Sequence, residues 1–260
     1  MKVTFKEEGH LYESFPARSW TSVTRLIERH TNEFDAPRQA RISAQAPSSK
    51  WFGLDPEDIE AIWDRENKRS TDIGHIYHAD MEQAAIEREY KKHRGKIIQV
   101  FPSLIENGIK VARNQHLEDG VYPEHIVYHE KIGAVGQIDL PMVANGFVDI
   151  DDYKTNKKIE MESFNGQMMK GPLSHLPDCN YWHYVIQLST YMELILLKNK
   201  HLQPGKLQLK HVDFEIKKRD HYGFPVIQMV DGLPVVAAKT TYEIPFLREE
   251  AIELLKTLIK

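Results

Sequence analysis

The stretch that decides the fold is AVGQIDLPMVANGFVDIDDYK, residues 134–154. Apolar residues run along both sides of the Asn-Gly pair at 145–146, and this dipeptide favours the tight turn of a β-hairpin. Because residues two apart on a strand share a face, pairing across the turn brings Asp139 beside Asp152 and Lys154. The sequence therefore predicts a hairpin on which two carboxylates and one ammonium group converge.

The two carboxylates predict a metal site. Close carboxylates repel each other unless a cation lies between them, so Mg²⁺ or Mn²⁺ is the natural partner of Asp139 and Asp152. Lys154 is placed to position or deprotonate an attacking water, or to neutralise developing charge on a phosphate. The alternative interpretation is an ordinary exposed hairpin whose lysine forms a surface ion pair.

Two further acids, Asp149 and Asp151, alternate with the site residues along the second arm of the hairpin. Because successive side chains of a strand point to opposite faces, both acids face away from the predicted site. We expect them to be solvated or paired with Lys157 or Lys158.

Towards the N terminus, helical patterns dominate. An alternating stretch at 3–13 suggests one short hairpin, and Thr21 or Ser22 is a suitable N-cap for a following helix. Residues 1–120 as a whole are expected to be mainly helical. The further predicted helices span residues 56–67, 71–93 and 101–117.

Towards the C terminus, strands alternate with helices. A strand at HIVYHEKI precedes the hairpin, and residues 121–260 are expected to carry the catalytic sheet. The fold class is therefore α/β or α+β, a single domain over 1–260 with a central mixed β-sheet flanked by helices. The later elements are a long helix over 180–200, strands over 207–216, 224–230 and 240–244, and an amphipathic helix over 246–259.

Composition excludes several classes of protein. The chain has 260 residues, 41% hydrophobic and 28% charged, which is typical of a folded domain and not of a disordered chain. No apolar run approaches the ~20 residues that span a bilayer, and the start lacks a secretory signal, so we expect a cytoplasmic protein with no membrane partner. The single cysteine, Cys179, excludes an internal disulfide and an iron–sulfur cluster.

The charge is not that of a protein that coats nucleic acid. The net charge is −4 and the pI is near 6.4, whereas such proteins are strongly basic. Two segments are locally basic, residues 36–50 and the run REYKKHRGK at 88–96. In the second run, Arg88, Lys91 and Lys92 are candidates for contacts with DNA phosphates, and a solvated helix face is the alternative.

The hairpin motifs resemble those of a known family. GQID at 136–139 and DDYKT at 151–155 resemble the active-site strands of the PD-(D/E)xK nuclease superfamily, in its RecB-type branch, which includes phage exonucleases. GHLYESF at 9–15, followed by SWTSVTRLI at 19–27, is similar to the opening of many phage members.

Two helical motifs resemble the same family. GHIYH at 74–78, with Glu82 one turn later, is similar to its G-x-x-x-H-x-x-x-E segment. Gln187 and Tyr191 match its Q-x-x-x-Y helix motif. The resemblance therefore extends in order from residue 10 to residue 191 and implies a restriction-endonuclease-like core.

The resemblance implies a role for each hairpin residue. Asp139 and Asp152 would be the metal carboxylates, and the carbonyl of Tyr153 would add a ligand. His78 would complete the protein ligands of the metal. Lys154 would serve the water nucleophile.

The resemblance also implies supporting residues and partners. Glu82 would orient His78 or bind a second ion. Gln187 and Tyr191 would contact substrate phosphate or hold Lys154, and a core tyrosine beside a capped glutamine is the alternative. The implied cofactor is Mg²⁺, with Mn²⁺ as a substitute and no iron–sulfur cluster. The implied partner is DNA, including single-stranded ends, with a recombination or helicase protein as a second partner.

The function implied is that of a Mg²⁺-dependent DNA exonuclease that hydrolyses phosphodiester bonds with a metal-activated water, in phage DNA recombination, repair or degradation. A structure-specific endonuclease and a nuclease acting on RNA are the alternatives among enzymes. A non-catalytic DNA-binding or helicase-associated module is the alternative from another class, although the presence of Asp139, Asp152 and Lys154 together speaks against it. A small-molecule phosphodiesterase is a more distant alternative.

Overall fold

The computed structural model describes residues 1–6, 9 and 11–259. Glu7, Glu8 and His10, which belong to the predicted N-terminal hairpin and motif, lie outside the described residues. Within the described ranges no helix has both the length and the apolar character needed to cross a bilayer. The helices are α1 Val23–Glu28, α2 Ala36–Gln45, α3 Pro56–Glu87, α4 Asn180–Lys198 and α5 Arg248–Lys256, with 3₁₀ turns at Phe164–Gly166 and Gly171–Leu173.

Short strands make up the rest of the regular structure. They are β1 Lys2–Lys6, β2 Leu11–Phe15, β3 Thr21–Ser22, β4 Tyr90–His93, β5 Lys96–Gln99, β6 Leu104–Glu106, β7 Ile109–Val111, β8 Gly120–Val121, β9 His125–His129, β10 Ala134–Ile138, β11 Leu140–Ala144, β12 Phe147–Lys154, β13 Gln203–Phe214, β14 Ile216–Arg219, β15 Pro225–Ile227, β16 Met229–Val230, β17 Leu233–Pro234 and β18 Val236–Ile244.

Five strands form the central sheet, in the order β18-β13-β12-β11-β8. β12 and β13 run parallel, and the other neighbours run antiparallel, so the sheet is mixed. Helix α4 lies in the connection between the two parallel strands, as such crossovers require. The predicted mixed α and β class with a central mixed sheet is confirmed, and the single domain over 1–260 stays a prediction.

The hairpin that decides the fold is formed by β11 and β12. Asn145 and Gly146 make its turn with φ values of 55° and 78°, left-handed values that these two residue types adopt most readily. A second sheet, of order β3-β10-β9, adjoins the first. Because β10 ends at Ile138 and β11 begins at Leu140, Asp139 alone separates the two sheets.

The main core lies between the central sheet and α4. Val148 and Ile150 of β12 and Leu209 of β13 are fully buried against this helix, together with residues of α1 and α5. α4 is apolar around most of its circumference because the sheet and two other helices cover it. Each buried Leu or Ile side chain contributes about 1.5–3 kcal/mol of burial free energy, so this core positions β12 firmly.

The opposite face of the sheet is covered by the β4–β5 hairpin and the end of α3. Ile98 and Val100 pack on Leu140 and Met142, with Ala85 of α3 at the edge. The central sheet is therefore buried on both faces near the β11–β12 hairpin.

A buried ion-pair cluster anchors the β4–β5 hairpin to the sheet. Asp149 of β12 is 4% exposed, and its carboxylate accepts hydrogen bonds from Arg94 Nε at 2.6 Å and Nη2 at 2.7 Å. It also lies 2.6 Å from His93 Nε2 and accepts the backbone N–H of Lys206 at 2.5 Å. Burial raises the pKa of Asp149, but the bonds from Arg94 and Lys206 outweigh burial and hold the pKa below its ordinary value.

The predicted surroundings of Asp149 and Asp151 were wrong. Both face away from Asp152, as expected, but the β4–β5 hairpin covers Asp149, and Asp151 is half-buried with its carboxylate 3.7 Å from Lys210 Nζ. The acids that pair with Lys157 and Lys158 are Glu66 and Glu160 instead.

Helix α3 is 32 residues long and joins two parts of the molecule. It begins with Asp55 as N-cap, and Ile59 and Ile62 of its first half are buried in an aromatic cluster around Trp51. Its second half passes the end of β12, where a Cβ at Gly74 would lie 3.0 Å from the Thr155 hydroxyl. The absence of a side chain at Gly74 therefore permits the close approach of α3 to the site strand.

The prediction of a mainly helical part over residues 1–120 was wrong beyond residue 87. The predicted helix over 101–117 is a hairpin of β6 and β7, turned at Asn107 and Gly108 with φ values of 51° and 76°. Asn-Gly between apolar residues favours this turn, and that local signal outweighs the helical spacing around it.

Other element boundaries also differ from the predictions. The helices predicted at 56–67 and 71–93 are one helix, α3, and residues 90–93 belong to β4. The strand predicted at 224–230 is interrupted at Gln228. The long helix α4, the strand β13 and the closing helix α5 are confirmed, with ends shifted by a few residues.

Replacing Asp149 with Ala is expected to destabilise the protein by about 1.5–3 kcal/mol, because the buried carboxylate that accepts hydrogen bonds from Arg94 and from the Lys206 backbone is lost. The free energy of unfolding in urea measures this change. Since the pKa of Asp149 is lowered on folding, its contribution is present above pH ~4 and is lost as the pH falls through the folded-state value.

The matched control for this substitution is Glu243→Ala, which removes an exposed carboxylate from the side chain of Lys206. Exposed pairs contribute about 1 kcal/mol or less, so the control should stay close to wild type. Equal stability of the two variants would contradict the anchoring role of Asp149.

Candidate active site

Asp139 lies where two antiparallel ladders meet. The β9–β10 ladder continues to Asp139, whose carbonyl accepts the backbone N–H of Glu124 at 2.8 Å. The β11–β12 ladder places Asp139 opposite Asp152, one step beyond the Leu140–Asp151 pair. Three acidic residues, Glu124, Asp139 and Asp152, are therefore neighbours across two hairpins.

His78 approaches Asp139 from helix α3. Its Nδ1 lies 3.3 Å from Asp139 Oδ2. The same carboxylate oxygen accepts the backbone N–H of Tyr153 at 2.7 Å, and the rings of His78 and Tyr153 meet edge to face at 6.0 Å. Gly74 is one helical turn before His78, so the close approach of α3 at Gly74 brings the imidazole to the end of β12.

Lys154 is a buried cation on the same face of β12 as Asp152. Its Nζ lies 2.6 Å from Asp152 Oδ2 and 4.6 Å from the centroid of the Tyr184 ring. Lys154 also donates to Gln187 Oε1 at 3.3 Å, and the Gln187 amide donates to the Tyr191 hydroxyl at 3.2 Å. Of the two predicted roles for Gln187 and Tyr191, these contacts favour holding Lys154.

Tyr191 is also a core residue, 3% exposed, as the alternative prediction had it. A Cβ at Gly136 would overlap the Tyr191 ring, so the strand glycine of the GQID motif makes room for it. Burial, and then the charge of Glu124, raise the pKa of Tyr12 of β2. The GQID motif and the Q-x-x-x-Y helix motif therefore pack against each other at Gly136 and Tyr191.

Glu124 belongs to this site although the sequence predictions did not include it. Its backbone is left-handed, with φ 53°, in the loop before β9. Its carboxylate accepts a hydrogen bond from the Gln137 side chain and lies 3.7 Å from Lys110 Nζ. No motif in the sequence points to Glu124. The available signal is the pairing of β9 with β10: Ile138 pairs with His125, so the next pair in register is Asp139 with Glu124.

Glu82 acts on the site through another residue. Within the portion of the chain that the structure describes, Glu82 makes no hydrogen bond or ion pair with His78. Its carboxylate accepts hydrogen bonds from the Ser103 hydroxyl at 2.7 Å and from Lys110 Nζ at 3.1 Å. Lys110 in turn lies beside Glu124. The geometry thus favours Glu82 as a support for Lys110 and Glu124 over direct orientation of His78.

The structure does not bring the predicted basic residues to the acidic groups. Lys91 Nζ lies 3.1 Å from Met142 Sδ, on the face of the sheet opposite Lys154. Lys92 is exposed, and Arg88 is the C-cap of α3. The segment that was predicted to be a helix face forms the strand β4. Because successive side chains of a strand point to opposite faces, Lys91 and Lys92 lie on different faces.

The proximity of these groups shifts their pKa values. Burial lowers the pKa of His78, but the charge of Asp139 outweighs burial and raises it to about 9. Burial raises the pKa of Asp139, but His78 and Lys154 outweigh burial and hold it below its ordinary value. Burial and the Asp139 charge raise the pKa of Glu124 to about 7. Burial raises that of Asp152 to about 6 despite the Lys154 charge.

The donor set can hold a divalent cation. Four carboxyl groups, those of Glu82, Glu124, Asp139 and Asp152, face three cationic side chains, Lys110, Lys154 and protonated His78, so the site has an excess of one acid. Ligand atoms of His78, Glu124 and Asp139 lie within 4.8 Å of one another, and metal–ligand bonds of about 2.0–2.6 Å can bridge that separation. Asp152 adjoins this group across the hairpin. One imidazole with several carboxylates suits a divalent metal ion.

The comparison of the chain with protein-family models gives no match, and the comparison with curated proteins gives none either. The functional interpretation therefore depends on the geometry around Asp139 and on the order of the motifs along the chain.

In the metal-free protein, the His78 imidazole is expected to titrate with a midpoint of about 9. NMR of the ring Cε1–Hε1 group measures this midpoint. In Asp139→Asn the main charge that raises the His78 pKa is lost and burial remains, so the midpoint should fall well below about 9, with Asp152 and Glu124 still opposing burial. Since the pKa of His78 is raised on folding, the pair stabilises the protein fully below pH ~6.5, and this contribution disappears as the pH rises through about 9.

Asp178→Asn is the control for this titration, because it removes the carboxylate 2.6 Å from another histidine, His183. The His78 midpoint should be unchanged in this variant. A midpoint that also stays unchanged in Asp139→Asn would show that the two side chains are not paired in solution.

Proposed function

We propose that this chain is a metal-dependent nuclease of the PD-(D/E)xK type that acts on DNA as an exonuclease. The observation that carries the proposal is the meeting of Asp139, Asp152, Lys154 and His78 at one end of the β11–β12 hairpin. The motifs support it, because residues far apart in sequence that they single out lie together. The restriction-endonuclease-like core is part of the proposal and is supported by the mixed five-stranded sheet with α4 against one face.

The metal in this proposal is Mg²⁺ or Mn²⁺, held by His78, Glu124, Asp139 and Asp152. A divalent ion held by these residues would lower the pKa of a water bound to it and would screen the charge of a phosphodiester. His78 must release its proton to bind a metal, so its affinity for the ion increases with pH. The backbone N–H of Tyr153 orients the Asp139 carboxylate, and the Tyr153 carbonyl is a further candidate ligand.

Lys154 acts as a cation in this proposal. Burial lowers its pKa, but the charges of Asp152 and Asp139 outweigh burial and raise the pKa above its ordinary value. A lysine that keeps its proton cannot accept one from water, so Lys154 donates hydrogen bonds to the water or to a phosphate oxygen and neutralises developing charge. Gln187 fixes the direction of the ammonium group.

A gel assay on end-labelled DNA tests the function. The substrates are 5′- and 3′-labelled single- and double-stranded DNA and a covalently closed circle, each with Mg²⁺, Mn²⁺ or EDTA. We expect the wild type to release label from linear DNA only, and only with the metal. Lys154→Ala and Asp139→Asn should each lower the rate by ~10²- to 10⁴-fold, because charge stabilisation or a metal ligand is lost.

The control variant is Lys158→Ala, whose side chain is 71% exposed and pairs with Glu160 outside the site. It should cleave at the wild-type rate. If the closed circle is cut, the enzyme is an endonuclease and not an exonuclease. If labelled RNA is cleaved and DNA is not, the substrate is RNA. Binding of DNA without cleavage under any metal would favour a non-catalytic module.

Glu124→Gln is expected to weaken Mn²⁺ binding by about 10- to 100-fold, measured by calorimetry near neutral pH in two buffers so that the proton released from His78 is accounted for. The reason is the loss of one anionic oxygen from the donor set. Glu118→Gln, at an exposed position in the same loop region, is the matched control and should bind like wild type. An unchanged affinity in Glu124→Gln would exclude Glu124 from the ligands.

A further inference from the structure

A cleft of about 280 Å³ lies between the first half of α3 and the turn at 220–224 that joins β14 to β15. Arg65 and Arg69 line it from the helix, and Tyr222 and Phe224 line it from the turn. The cleft is separate from the acidic groups around the β11–β12 hairpin.

The aromatic rings of the cleft form a platform with cations close to it. Trp51 lies beneath, with ring centroids 5.8 Å from Tyr222 and 6.1 Å from Phe224. Lys50 Nζ lies 4.3 Å from the centroid of the Trp51 ring. Tyr222 is half-buried, so part of its ring remains accessible from the cleft. Aromatic faces beside cations are the groups on which bases of single-stranded nucleic acids stack.

The turn that presents Tyr222 is held in place by several hydrogen bonds. Asp220 Oδ1 accepts the backbone N–H groups of Tyr222 at 3.0 Å and Phe224 at 2.9 Å. Arg69 donates to Asp220 Oδ2 at 3.2 Å and to the Pro225 carbonyl at 2.9 Å, which ties the turn to α3. A ligand therefore meets a surface that is already ordered, so little conformational entropy is lost on binding.

The segment after β12 connects the cleft to the candidate active site. Lys154 ends β12, and three residues later Lys157 Nζ lies 4.8 Å from the Phe224 ring centroid and 3.3 Å from Glu66 Oε1. Three extended residues span at most ~11 Å. The Lys157 side chain and the 4.8 Å from its Nζ to the Phe224 ring lengthen this path, so at ~3.4 Å or more per nucleotide the cleft lies at most several nucleotides from Lys154.

We infer that this cleft binds an unpaired base of single-stranded DNA, stacked on Tyr222, while a phosphate a few nucleotides away lies at Lys154. Arg65 binds a phosphate of the same strand at the cleft. This inference rests on the proposed function and names the form of substrate that the enzyme holds, a single-stranded end.

A short single-stranded oligonucleotide that carries 2-aminopurine tests the inference in EDTA, where no metal-dependent cleavage occurs. Its fluorescence should be quenched by wild type, because 2-aminopurine loses emission when it stacks. Tyr222→Leu should weaken binding by roughly 5- to 150-fold and abolish the quenching, whereas Tyr222→Phe should keep both. The matched control is Tyr90→Leu, at a 56% exposed tyrosine of β4.

Arg65→Gln is a second variant that leaves the aromatic packing intact. It should weaken binding. It should also reduce the slope of log affinity against log salt concentration by about one, the contribution of one phosphate contact. Thermal unfolding of all variants identifies any that have lost the fold, and Arg65→Gln then keeps the inference testable.

The outcomes separate this inference from the proposed function. If wild type cleaves DNA but Tyr222→Leu quenches and binds the probe as wild type does, the subsite is wrong and the nuclease stands. If wild type cleaves no DNA but quenches the probe in a Tyr222-dependent way, the subsite stands and the nuclease is wrong. Equal affinity for a fully paired duplex would also overturn the inference.

Discussion

The structure depends on a junction that is one residue long. β10 ends at Ile138 and β11 begins at Leu140, so the backbone of Asp139 belongs to neither sheet and is held by the ladders of both. Its carboxylate therefore cannot move away from its neighbours without displacing a strand on each side. Charged groups that would separate in water are kept together by the packing of the two sheets.

Packing and charge oppose each other at this junction. The core around α4 buries Asp152 and Lys154, and burial disfavours the charged form of both groups. The charges compensate each other in pairs, Lys154 with Asp152 and His78 with Asp139. Burial and the Asp139 charge raise the pKa of Glu124, and the charges of Lys110 and His78 offset this only in part. The excess of acid therefore lies inside a well-packed core.

Local signals in the sequence predicted the fold best. The Asn145-Gly146 pair and the apolar residues around it are enough to predict the β11–β12 hairpin. The apolar run of α4 is enough to predict a buried helix, because residues close in sequence determine both elements. The pairing of Asp139 with Asp152 follows from that hairpin alone. His78 required the motif resemblance, since nothing in its own helix indicates that Gly74 brings α3 against β12.

Contacts between distant parts of the chain could not be predicted in this way. The Asn107-Gly108 turn was outweighed in prediction by helical spacing. The β4–β5 hairpin that covers Asp149 was missed because its first strand was predicted as the end of a helix. Glu124 lies in a loop, and its place beside Asp139 depends on the register of a separate hairpin. A cleft such as the one beside Tyr222 joins α3 to a turn that follows it by about half the chain, so no window of sequence contains it.

The parallel pairing of β12 with β13 has a consequence for the order of assembly. The β11–β12 hairpin forms from local contacts, but β13 reaches β12 only after the chain has passed through α4, and contacts across such a distance form slowly. Until then one edge of β12 is open, and Lys154 and Asp152 remain in water, where their charges are screened. During synthesis, which proceeds from the N terminus, the cluster of charged groups thus comes together late. The topology therefore delays the assembly of the charged groups until the rest of the chain can enclose them.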